Sequence, residues 1–178
     1  MLADAYIHQL SPFAIQLTES FGLRWYGLAY IAGFIVGWWF IRWMAKTDRS
    51  PLAPDQAGDL LFAGVLGVLF GGRIGYAIFY DPHLFTGFSS AFPWWDLLAI
   101  NRGGMASHGG IIGVLFAFII WGRKHKVPVM HLADLASVGG TVGLFFGRVA
   151  NFINGELLGK KIPNQTEAPW WSVKYPTE

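Results

Sequence analysis

Four apolar stretches, each close to the length that crosses a bilayer, limit this chain more than any other feature. A spanning helix needs roughly 20 mostly apolar residues. The stretches run from about Tyr26 to Met44, Leu60 to Tyr80, Met105 to Trp121 and Leu132 to Ile153, the third being the shortest. Lipid offers no partner for backbone N–H and C=O groups, so each stretch must close its hydrogen bonds as a helix. The fold class expected is therefore all-α: a polytopic integral membrane protein with about four transmembrane helices. Charge points the same way, because only 13% of the 178 residues are charged, against about 25% in a soluble domain. Nine Trp and 23 Gly suit interfacial belts and close helix packing in lipid.

Cationic loops orient the spans. Arg42, Lys46 and Arg49 follow the first stretch, and Arg123, Lys124 and Lys126 follow the third. The loop Asp81 to Gly104 holds only Arg102, and nothing basic precedes Arg24. The two basic loops are expected to face the cytoplasm, which puts the N-terminus outside. Lys160 and Lys161 then lie outside, mildly against the rule. Three regions follow: an extracytoplasmic amphipathic N-terminal segment over 1–22, a transmembrane helical domain over 23–154, and the start of an extracytoplasmic head over 155–178. The stretch Pro12 to Phe21 is too short to cross. The N-terminus lacks a basic n-region and a cleavage site, so the first span is expected to stay in the mature protein. Phe85, Phe88, Phe92, Trp94 and Trp95 mark the loop after the second span as a segment lying in the outer interface.

Charges are costly in lipid, at least ~2.5–3.5 kcal/mol near the centre of a span, so they usually face a cavity or a partner. Arg73 and Arg148 are the two such charges, each in the outer half of its helix. Asn151 lies one turn beyond Arg148, Asn154 one turn further, and Glu156 follows Gly155. His108 opens the third span before Gly109-Gly110, and Tyr26 opens the first beside Arg24 and Trp25. Arginine is a planar, permanent fork that fits a phosphate, and histidine takes a proton near neutral pH. Such a set could hold an anionic phospholipid and support departure of a phosphate. Plainer readings stand beside it. The arginines could pair with Glu156, Asp59 or helix carbonyls, the asparagines could bridge helices, and Tyr26 could be a belt residue. His125 and His131 read as residues of a basic loop.

One echo links two of these places. Phe70-Gly71-Gly72-Arg73-Ile74-Gly75 is similar to Phe146-Gly147-Arg148-Val149-Ala150. A repeat of parallel sense is one reading, and chance likeness between apolar, Gly-rich helices is the other. The absence of Cys excludes a disulfide framework, a Cys metal site and a Cys nucleophile, and an external nucleophile is the simpler expectation. No metal and no cofactor is implied, and a net charge of +2 gives no reason to expect nucleic acid.

The run Gly147-Arg148-Val149-Ala150-Asn151-Phe152-Ile153-Asn154-Gly155-Glu156-Leu157-Leu158-Gly159 resembles the signature of bacterial prolipoprotein diacylglyceryl transferases. Gly71-Gly72-Arg73-Ile74-Gly75-Tyr76 with Phe79-Tyr80, Gly104-Met105-Ala106-Ser107-His108-Gly109-Gly110 and Arg24-Trp25-Tyr26-Gly27-Leu28 fit the same family in the same order. The resemblance implies transfer of the diacylglyceryl group of phosphatidylglycerol to the lipobox cysteine thiol of a prolipoprotein signal peptide, with glycerol phosphate leaving. It places the reaction at the outer leaflet of the bacterial inner membrane, among membrane lipids. Carried over by residue, it implies Arg148 on the phosphate, His108 as the base toward the thiol, and Tyr26 bounding the site. Asn151, Glu156 and Gly159 would shape that site, and Arg73 would be a second phosphate contact or a structural pair. The family has about seven spans and further essential residues on a later helix, so this chain is expected to be an N-terminal portion. An anion or lipid transporter, with arginines lining a path, and a membrane scaffold without chemistry are the competing functions.

Overall fold

The computed structural model describes residues 6–16, 22–90, 92–162 and 169–176. Parts of the expected N-terminal and head segments, 1–5, 17–21, 163–168 and 177–178, lie outside the described residues. Four long helices form: α1 (Trp25–Lys46), α2 (Gln56–Phe79), α3 (Ser107–His125) and α4 (Val129–Asn154). The protein is a polytopic α-helical membrane protein. By length and apolarity α1, α2 and α4 can each cross a bilayer, at 22, 24 and 26 residues. The third stretch is the 19-residue α3, whose last turn carries Arg123, Lys124 and His125 and so shortens its apolar run. Cations there complement the helix dipole, and Lys126 ends the helix in the left-handed region just before Pro128. The short strands β1 (Tyr6–Ile7), β2 (Phe13–Gln16), β3 (Gly22–Arg24) and β4 (Val173–Lys174) add to the expected helices.

The chain forms two compact units, Met1–Val36 with Gly140–Glu178, and Gly37–Gly139. In the first, β1 pairs with β4 in parallel and β2 with β3 antiparallel. Gly33 of α1 faces Gly143 of α4 there, where a Cβ would stand 3.4 Å from the Gly143 Cα. Large side chains point outward: Tyr30, Ile31, Ile35, Leu144 and Phe145 are all exposed. On a soluble monomer such a face would be anomalous; on a spanning helix it is the lipid contact.

The second unit is held by small residues. Gly67, Gly71 and Gly75 repeat every fourth position on α2, and Gly109 and Gly113 do so on α3. They meet back to back: a Cβ on Gly67 would stand 2.7 Å from the Gly113 carbonyl oxygen, and one on Gly75 2.7 Å from the Gly109 Cα. Without side chains between them the backbones pack directly, which is how membrane helices gain van der Waals contact that lipid cannot supply. Toward the cationic ends of the helices lies a core of Ile41, Leu52, Leu60, Phe118, Trp121 and Leu132. There His125 and His131 are helical residues rather than loop residues. His125 stacks on Trp121 and bonds Gln56, and His131 bonds Ser50.

Candidate functional site

At the end of α4 the chain turns back on itself. Gly155 adopts φ +67°, which glycine reaches without the Cβ penalty of other residues. Its N–H bonds the Phe152 carbonyl at 3.1 Å, and the Glu156 N–H bonds the Asn151 carbonyl at 2.9 Å. This is the paired closure of a Schellman motif. It returns Glu156 toward Asn151, a turn earlier. The Tyr26 hydroxyl, from the first turn of α1, donates to Glu156 Oε2 at 2.7 Å. Asn151 Nδ2 donates to the Tyr26 oxygen and lies 3.4 Å from Glu156 Oε2. Tyr26 thus joins Asn151 and Glu156, from the far end of the chain, in one hydrogen-bonded cluster whose polar atoms reach the surface of this unit.

Arg148 is in the same unit, one turn before Asn151 on α4. Its side chain is exposed, and among the described residues its guanidinium has no hydrogen-bond or ion-pair partner. A permanent fork with all its donors free can take an incoming anion with no internal bond to break. Gly159 has φ +82° and open space where a Cβ would be.

The other two candidates belong to the second unit. His108 lies in the first turn of α3, exposed and without a hydrogen-bond partner among the described residues. Arg73 is 5% exposed. Its Nε donates to the Leu97 carbonyl at 2.8 Å, Nη1 to those of Gly103 and Gly104 at 2.6 and 3.0 Å, and Nη2 to those of Asp96 and Ala99 at 2.6 and 3.3 Å. A guanidinium has five N–H groups, so Arg73 has none left for a phosphate. Among the described residues no carboxylate neutralises it, since that of Asp96 pairs instead with Arg102 at 3.0 Å. Bonds to a charged group contribute about 1.5–3 kcal/mol each, and burying the ion costs several. The carbonyls therefore replace the water shell of the cation rather than adding a large net gain.

The carbonyls belong to the turn Asp96–Leu98 between α2 and α3, to Ala99 just after it, and to Gly103 and Gly104 before α3. No side-chain pattern announces them, because any residue carries a carbonyl. The same loop exposes Phe88, Phe92 and Trp94. His8 also carries no sequence signal, yet it is 7% exposed and its Nε2 bonds the Phe152 carbonyl at 2.7 Å. That carbonyl also accepts the Gly155 N–H, so His8 is tied to the turn that ends α4.

Comparison with known proteins bears on both units. A model of the family described as prolipoprotein diacylglyceryl transferase matches residues 12–177. The chain is similar to a phosphatidylglycerol–prolipoprotein diacylglyceryl transferase of Bdellovibrio bacteriovorus, with 48% identity over 172 residues, or 97% of this chain and 48% of the relative. It is similar to the protein so named in Rhodospirillum rubrum, with 39% identity over 171 residues, 96% of this chain and 57% of the relative. The so-named protein of Chromohalobacter salexigens is 43% identical over 169 residues, 94% of this chain and 58% of the relative. The chain spans about half the length of the curated relatives it matches.

Proposed function

The chain belongs to the prolipoprotein diacylglyceryl transferase family, and from that premise we propose that it takes part in transferring the diacylglyceryl group of phosphatidylglycerol to the lipobox cysteine thiol of a prolipoprotein. The thiol sulfur attacks the glyceryl carbon that bears the phosphate ester. A C–S thioether bond forms, the C–O bond to phosphate breaks, and glycerol phosphate leaves with the bond's electron pair. The thiol proton passes to His108. Arg148 holds the phosphate and stabilises the charge that gathers on it as the ester breaks. Tyr26, Asn151 and Glu156 bound the site with fixed polar groups, and Gly159 leaves room for the lipid backbone. The reaction belongs to the outer leaflet of the bacterial inner membrane. The N-terminal segment 1–22 and the head from 155 onward are extracytoplasmic, and 23–154 is the membrane domain.

One observation carries this reading: the guanidinium of Arg148, unpartnered among the described residues, stands one turn from a pre-ordered Tyr26–Asn151–Glu156 cluster. An anion site needs free donors and an ordered surround, and this stretch of α4 has both. The test is Arg148→Ala, assayed by the mass gain of a lipobox peptide in vesicles containing phosphatidylglycerol. Loss of the thioether product is expected, and undiminished product would overturn the role given to Arg148.

A further inference from the structure

We propose that Arg73 is a positioning residue for His108: it fastens the backbone leading into α3, so that His108 leaves the first turn in one fixed direction, and it does not touch the substrate phosphate. This rests on the reading above in which His108 takes the thiol proton. Three fastenings bind one stretch of α2 to the residues on either side of His108. Arg73 Nη1 holds the Gly103 and Gly104 carbonyls. The Gly72 carbonyl accepts the Ala106 N–H at 2.9 Å. Beyond His108, Gly109 lies so close to Gly71 and Gly75 that a Cβ on it would stand 2.9 Å from the Gly75 Cα.

The start of α3 needs this help from outside. Its cap position is Ala106, which has no side-chain oxygen to fix the first turn. His108 has no hydrogen bond of its own among the described residues, so its direction comes from its backbone alone. The approach to it is pliable, because Gly103 and Gly104 both sit at φ +82°. Arg73 removes that freedom. It also satisfies the Leu97, Gly103 and Gly104 carbonyls, which have no other hydrogen bond among the described residues, in a segment between two apolar helices where bare carbonyls are costly. A lysine has three donors on a flexible stem and cannot reproduce the planar, five-way pattern.

Arg73→Lys and Gly104→Ala test this from two sides. In the second, the new Cβ would stand 2.6 Å from Arg73 Nη1 on a left-handed backbone, so the contact is disturbed with the arginine still present. The full chain, with 13C-labelled histidine, is placed in nanodiscs containing phosphatidylglycerol. Five histidine ring signals are expected, and that of His108 is the one missing in His108→Gln. In both variants the His108 signal should move or broaden while those of His125 and His131 hold. In the transfer assay kcat should fall about ten-fold while KM for phosphatidylglycerol stays within about two-fold, and Arg73→Lys should slow His108→Gln no further. An unmoved His108 signal overturns the proposal. Displacement of every histidine signal overturns it in favour of a fold-wide role, and a raised KM at constant kcat in favour of a phosphate contact. If the His108 signal responds as expected but the unaltered chain makes no thioether product, the transfer reading fails and the positioning stands.

Discussion

Phe70-Gly71-Gly72-Arg73 on α2 and Phe146-Gly147-Arg148 on α4 read almost alike, and the fold treats them in opposite ways. On α2 the glycines are pressed against another helix: a Cβ at Gly72 would stand 2.7 Å from the Met105 Cε, and one at Gly71 2.7 Å from the Gly113 Cα. On α4 nothing lies within 4 Å of a Cβ at Gly147. Arg73 is buried with all its donors used, while Arg148 is exposed with none of its donors engaged among the described residues. The same local string thus makes a structural anchor in one unit and an open cation in the other. What decides is the neighbouring backbone. The loop after α2 leaves the Leu97, Gly103 and Gly104 carbonyls without a backbone partner among the described residues, whereas α4 ends in a Schellman turn that closes its own.

Exchanging each arginine for alanine tests that contrast most severely. Arg73→Ala leaves the Leu97, Gly103 and Gly104 carbonyls without a hydrogen bond among the described residues, and leaving a buried acceptor unsatisfied costs about 1–3 kcal/mol. The variant should unfold that much more easily in nanodiscs, and stability equal to that of the unaltered chain would end the contrast. Arg148→Ala should change stability by no more than about 0.5 kcal/mol, as exposed sites do. Its loss should appear in transfer instead, by about 100- to 1,000-fold, the scale for removing one stabiliser of developing charge. A large stability loss there would mean that Arg148 has a structural partner after all.

The glycines sharpen the same comparison at smaller scale. Gly71→Ala forces a methyl against the backbone of Gly109 and Gly113, and overpacking typically costs about 1–3 kcal/mol. Gly147→Ala meets nothing and trades glycine's flexibility for helix propensity, so a gain of about 0.5–1 kcal/mol is expected. Thermal unfolding of both variants in one lipid reads the difference. Equal shifts would show that the two helices are packed alike, contrary to the geometry.

The limits of what the sequence discloses are physical. The helices are legible because length and apolarity are local properties. Their ends drift by a few residues because caps such as Lys126 and Gly155 act through φ, which residue type only biases. The pairing of Tyr6–Ile7 with Val173–Lys174 is not legible, since two short strands at opposite ends of a chain carry no mutual signal. Asn151 and Glu156 stand out in the signature run, but the hydrogen bond from Tyr26 crosses 130 positions and exists only in the fold. The difference between Arg73 and Arg148 is the least legible of all. It depends on backbone carbonyls, which every residue has.

The smallest of the expected effects concerns the cluster beside Arg148. Tyr26→Phe removes a hydroxyl that donates to Glu156 and accepts from Asn151. Glu156 is exposed, so water can replace part of what is lost, and a cost of about 1 kcal/mol is expected rather than the higher figure for a buried charged partner. A single variant would not separate that from ordinary scatter. Tyr26→Phe and Glu156→Gln are therefore best combined in a double-mutant cycle, with both stability and transfer rate measured. Groups in one hydrogen-bond network usually show coupling of about 0.5–3 kcal/mol, and the exposure of this one places it at the low end. Coupling in the transfer rate would mean that Tyr26 and Glu156 act as a unit, ordered by the turn at Gly155. Strict additivity would mean that the turn only ends a helix. The ordered surround of Arg148 would then have to come from elsewhere on α4, and the contrast with Arg73 would rest on the free guanidinium alone.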